Sequence, residues 1–192
     1  MSKILGNLHY ALVLGLILLL IEIAALHGHA VTNPVWAQFF IMYIHVIIGV
    51  LWIGLLYYFN FVQTPTMPKI PAELKPGVSK YIAPAALFWF RWAALFTVLF
   101  GLLTAYVKDD IVLTLEVRPG FTTIGVGMWL AMFMAANVWF VIWPNQKKAL
   151  GIVPADDATK ANAARTGMIA SRINTVLSIP MLYCMVMQGS SL

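Results

Sequence analysis

The sequence predicts an all-α integral membrane protein, a bundle of five transmembrane helices. Three observations carry this. Of the 192 residues, 61% are hydrophobic and only 10% charged, against roughly 25% charged in a soluble domain. Five apolar segments are each long enough to cross a bilayer, which needs about 20 residues at about 1.5 Å each. The connectors between them carry most of the Lys and Arg, and they carry them unevenly. A single transmembrane domain over 1–192 is expected, with the lipid bilayer as its principal partner.

The net charge of +5 does not point to nucleic acid, because the chain has no basic run and no recognition motif. Membrane proteins concentrate Lys and Arg on cytoplasmic loops instead. The one cysteine, Cys184, excludes an intrachain disulfide and a cysteine-cluster metal site.

The first span covers about 9–26. Its apolar run exceeds a usual signal-peptide core, which favours a membrane helix. Glu22 near its end is either a functional carboxylate or a headgroup-level acid. The following turn holds His27 and His29, at a spacing that does not share one helix face.

The second span, about 38–63, contains no Asp, Glu, Lys or Arg, but it contains His45. A histidine at that depth must face the protein interior and find a partner. Gly49 and Trp52 follow at i+4 and i+7, on the same helix face. A neutral imidazole beside a glycine gap is what an axial ligand to a b-type haem requires. The other reading is a histidine hydrogen-bonded to a neighbouring helix. If His45 holds the haem iron, the second ligand comes from His27, His29, Met128 or Met185. Glu22 or a backbone carbonyl would then take the other imidazole N–H.

Residues 64–81 carry Pro65, Pro68, Pro71 and Pro76, and are expected to form a loop that precludes a long helix. The third span, about 83–107, places Arg91 about 12 Å from its start. Arg91 either snorkels to the interface or pairs with an anion. The fourth span, about 121–143, has Gly125, Gly127, Ala131, Ala135 and Ala136 for close helix contact, and Asn137 as its buried polar group. The adjacent Asp156 and Asp157 precede the last span and are either solvated or cap it. That span, about 168–188, carries Arg172 and Asn174 near its start and Pro180 in its middle. Because none of them faces lipid cheaply, Arg91, Asn137, Arg172 and Asn174 are expected to converge between the last three helices.

The run MAANVWFVIWPNQKKALG and the later RINTVLSIPMLY resemble the bacterial membrane-bound urate hydroxylases, in their urate oxidase N-terminal membrane domain. The matching residues include Ala135, Ala136, Asn137, Val138, Pro144, Asn145, Gln146, Asn174, Leu177, Ser178 and Pro180. The stretches HVIIGVLWIG and FRWAALFTVLFG are similar too, and the first also resembles HemJ-type protoporphyrinogen oxidases. The resemblance covers the last four spans. It implies a redox membrane scaffold in the bacterial inner membrane. In catalytic form it implies purine hydroxylation, for which Arg91, Asn137, Arg172 and Asn174 are the candidate residues. Longer relatives carry a Cys-x-x-Cys-His cytochrome c domain; this sequence has no such motif, which implies a short form using a separate c-type cytochrome. It also lacks their histidine in the last helix, where Ser171, Arg172 and Ile173 stand. A homo-oligomer or larger respiratory complex is the expected setting, and the alternative is a non-catalytic accessory or assembly subunit.

Lys3, Lys69, Lys75, Lys80, Lys147, Lys148, Lys160 and Arg165 fall on one side of a five-span bundle, and Lys108 and Arg118 on the other. Eight against two predicts a cytoplasmic N-terminus and a periplasmic C-terminus. A reporter fused after Leu192 is expected to read as periplasmic; cytoplasmic activity there would overturn the orientation.

Overall fold

A computed structural model describes residues 5–187; Lys3, Gln188 and Leu192 lie outside them. It contains five helices long and apolar enough to cross a membrane, and no strand among the described residues. They are α1 (Leu8–His27), α2 (Pro34–Lys69), α3 (Lys75–Val107), α5 (Thr122–Ala149) and α6 (Asp157–Met187), with a short α4 (Ile111–Leu115) between the third and fourth. The chain divides into two compact units, Met1–Phe40 and Ile41–Leu192.

In the first unit, Asn7 caps α1 by accepting the His9 N–H at 2.9 Å. No side chain of α1 is buried, as suits a helix apolar all round. Asn33 accepts the Val35 N–H at 2.9 Å and starts α2, with Pro34 in the first turn. Trp36 and Phe40 stack at 5.0 Å.

The second unit holds the core. Trp52, Leu56, Phe90, Met134 and Ile142 are its largest fully buried apolar side chains. Helices α5 and α6 pack antiparallel at close range, and glycine is what permits it. A Cβ at Gly127 would lie 2.9 Å from Cys184 Cβ, and one at Gly167 3.1 Å from Gln146 Nε2. The outward faces stay apolar: Phe140 and Val186 are 79% and 78% exposed. In water that would drive aggregation; in lipid it is the expected surface.

The expected loop at 64–81 is mostly helix, and only residues 70–74 separate α2 from α3. Three prolines of the long helices are accommodated by widened π turns, at Tyr58–Gln63, Val78–Ile82 and Val138–Ile142. Each is followed two residues later by a proline: Pro65, Pro84 and Pro144. In each, the residue just before the proline gives its N–H to the carbonyl five back: Thr64 to Phe59, Ala83 to Val78, Trp143 to Val138. The one-residue shift moves the hydrogen-bond register around the missing proline N–H, so the helix continues instead of ending. The last helix likewise begins at Asp157, not near 168. Asp156 caps it, accepting the Thr159 backbone N–H at 2.8 Å and the Thr159 hydroxyl at 2.7 Å. Those two bonds, the backbone one foremost, hold the Asp156 carboxyl below its ordinary pKa.

Replacing Gly127 by Ala is expected to destabilise the α5–α6 pairing by about 1–3 kcal/mol, the cost of overpacking. Gly15→Ala, where a Cβ meets nothing within 4 Å, is the control. Thermal unfolding in detergent compares them, and equal melting temperatures would refute the close approach.

Candidate functional site

Helix α2 carries His45, Gly49 and Trp52 on one face, and this face is turned into the second unit. His45 Nδ1 lies 2.8 Å from the Thr97 carbonyl of α3. A carbonyl only accepts, so Nδ1 carries the proton and Nε2 presents its lone pair. Nε2 makes no hydrogen bond among the described residues. Thr97 in turn donates its hydroxyl to the Ala93 carbonyl at 2.7 Å. Of the two acceptors the sequence left open for the imidazole N–H, Glu22 and a backbone carbonyl, the carbonyl takes it.

The glycine that makes room for the imidazole is Gly101, one turn beyond Thr97. A Cβ there would lie 2.9 Å from His45 Cε1. At Gly49 a Cβ would meet only the Thr97 methyl, at 3.6 Å. Neither Thr97 nor Gly101 had been singled out, although their i, i+4 spacing in FTVLFG was readable.

His45, Gly49 and Trp52 line a cavity of about 410 Å³, whose further wall includes Met181, Met185 and Thr97. A small void of about 20 Å³ adjoins it, lined by His45, Met185 and Met128. Trp52 is fully buried, yet its indole N–H has no acceptor among the described residues. Buried polar groups are hydrogen-bonded as a rule, and an exception asks for an explanation. His29 belongs to the first unit, in the turn after α1, and is exposed. No group of three or more His, Cys, Asp or Glu capable of holding a metal ion occurs among the described residues.

The four candidate catalytic residues do not form one site. Asn137 Nδ2 donates to Asn174 Oδ1 at 2.7 Å and to the Ala170 carbonyl at 2.9 Å. Asn174, fully buried, donates to the Met134 carbonyl at 3.0 Å. Arg91 lies elsewhere, with its guanidinium 4.0 Å from the Trp143 ring centroid and 5.3 Å from that of Phe88. Arg172 is exposed. The expected four-residue convergence is therefore corrected: the two asparagines pair, and the arginines stand apart. The physical reason is that an asparagine's short amide must be satisfied where it sits, whereas an arginine reaches an aromatic face or the membrane surface.

The asparagine pair continues as a polar seam along α6. Asn60 in the π turn of α2 donates to the Ser171 hydroxyl at 2.8 Å and the Leu56 carbonyl at 2.9 Å. Ser178 donates to the Thr175 carbonyl at 2.7 Å, so its oxygen accepts from the Tyr57 hydroxyl at 3.0 Å. Ser171, Asn174 and Ser178 recur at three and four residues and bind α2 and α5 to one face. Tyr57, Ser171 and Ser178 had not been picked out as members of this seam.

Residues 114–190 match the family model described as urate oxidase N-terminal. This bears out the resemblance over α5 and α6, where the Asn137–Asn174 pair lies. No curated protein and no solved structure matches the chain.

A double-mutant cycle of Asn137→Ala and Asn174→Ala is expected to show a coupling of about 0.6–1.7 kcal/mol, the range for interhelical hydrogen bonds in membranes. It is read from unfolding of purified protein in detergent, and strictly additive losses would contradict the pairing.

Proposed function

We propose that this relative of the urate oxidase N-terminal family is a membrane redox domain that binds one b-type haem through His45 and passes electrons to a separate c-type cytochrome. The observation that carries the proposal is the seat of His45: a ring fixed through Nδ1, with an unpartnered Nε2, on the wall of an apolar cavity of about 410 Å³. The residues present fit the group. A neutral imidazole nitrogen and the Met185 thioether share one cavity wall, and an unpaired indole N–H is available there for an acceptor.

Bound in this site, the haem would supply a reversible one-electron change at iron. The chain's own residues do the rest. The Thr97 carbonyl holds the imidazole N–H and so fixes the tautomer and the ring plane. Gly101 lets the ring lie against α3. Met185, with Met128 beside it across the small void, would hold the iron through its sulfur, a ligand that would raise the potential. The apolar lining excludes water. With the N-terminus cytoplasmic, His45 lies in the outer half of the bacterial inner membrane, on the side where a c-type cytochrome would dock.

Purine hydroxylation by Arg91, Asn137, Arg172 and Asn174 together is not supported, since only the asparagines meet. A non-catalytic accessory or assembly subunit is the second reading. It is favoured by the same pair, whose hydrogen bonds are satisfied within the protein, and by Arg91 resting on Trp143.

Absorption spectra of the purified protein decide between them. Wild type is expected to show a Soret band, His45→Ala to lose it, and Met185→Leu to keep it with an altered reduced spectrum. A wild type without a Soret band, or His45→Ala with the band unchanged, refutes haem binding at His45 and leaves the accessory reading.

A further inference from the structure

A second cavity, of about 400 Å³, lies at the other end of the same unit, where the lysine-rich helix ends meet. Its size falls within the range of small-molecule sites, about 300–1,000 Å³. Its walls are mainly apolar, and its floor includes Phe59 and Phe90, whose rings meet edge to face at 5.5 Å. It is lined by residues of α2, α3, α5 and α6.

Two buried side-chain polar atoms lack a partner among the described residues: Trp52 Nε1 in the first cavity, and Gln63 Oε1, whose residue lines this one. Two of the other polar side chains here are already engaged. Ser79 donates to the Lys75 carbonyl at 3.2 Å, and Ser171 accepts from Asn60. The Gln146 amide also lines the cavity and makes no hydrogen bond among the described residues. Arg165 lines it too and is exposed, so it belongs to the mouth.

We propose that this cavity binds the head group of a quinol, a planar ring carrying two hydroxyls. The orphaned Gln63 oxygen needs a donor, and an O–H supplies one. The Gln146 amide receives the second hydroxyl. The ring rests against Phe59 and Phe90, where a flat apolar face is favoured. A purine trione, with a polar atom at almost every edge, would leave most of them unpaired against these walls at a desolvation cost. A phosphodiester, ionised and accepting only, carries no hydrogen for Gln63. The oxidised quinone, which only accepts, is the poorer ligand for the same reason. This inference concerns binding alone and does not rest on haem at His45.

The test titrates the full-length protein in nanodiscs with a one-isoprene benzoquinol, under reducing conditions, by calorimetry. One saturable site is expected, with weaker binding of the corresponding quinone. Gln63→Leu is expected to weaken quinol binding by about tenfold, the loss of one hydrogen bond in a dry site. The same variant should keep or raise the melting temperature, because it removes an amide that is unpaired without ligand. No saturable binding, an unchanged affinity in Gln63→Leu, or full displacement of the quinol by urate overturns the proposal. A protein without a Soret band that still binds quinol through Gln63 separates this inference from the haem reading.

Discussion

A bilayer offers no hydrogen-bond partner to a polar group within its hydrocarbon, and this one constraint shapes the whole second unit. It explains why Pro65, Pro84 and Pro144, which would break helices in water, are taken up by π turns. Each turn re-pairs the backbone one residue further along, so the helix crosses intact. It explains why Asn60, Asn137 and Asn174 point at carbonyls and at each other, and why the serines of α6 share their face. It also explains why the His45 imidazole, within a span without charge, is tied to a backbone carbonyl.

Against this background the exceptions are informative. Where nearly every buried group is satisfied, two side-chain atoms among the described residues are not, and each belongs to a residue lining one of the two cavities of about 400 Å³. The indole N–H of Trp52 is a donor without an acceptor; the Gln63 carbonyl oxygen is an acceptor without a donor. Their complementary needs suggest different occupants. One cavity adds an imidazole nitrogen and a thioether, suited to a metal macrocycle. The other adds a second amide and an aromatic floor, suited to a hydroxylated ring.

The polar seam lies between these cavities and is complete within itself. Its hydrogen bonds join the carboxyl half of α2 and the middle of α5 to one face of α6, and the close approach at Gly127 and Gly167 lets the short amides reach across. The seam therefore reads as the device that fixes helix register, with the cavities left as the places where chemistry can enter.

Composition and the length of the apolar runs determined the helical membrane class and the five spans, because crossing lipid dictates both. Spacing determined that His45, Gly49 and Trp52 share a face, and the AANVWF and PNQ runs carried the family resemblance that the match over 114–190 bears out. Helix ends were not legible at Pro65, Pro76 and Pro84. A proline reads as a stop in a one-dimensional pattern, while a π turn is a cooperative adjustment that pays off only when neighbouring helices hold the extended segment. Nor could the sequence say which polar groups meet. Arg91, Asn137, Arg172 and Asn174 looked alike as buried polar residues at similar depth. Only the tertiary structure separates them, because helix rotation decides which side chains face each other and which face lipid. For the same reason Thr97 and Gly101, a span away from His45, became its partners only once α2 and α3 were packed together.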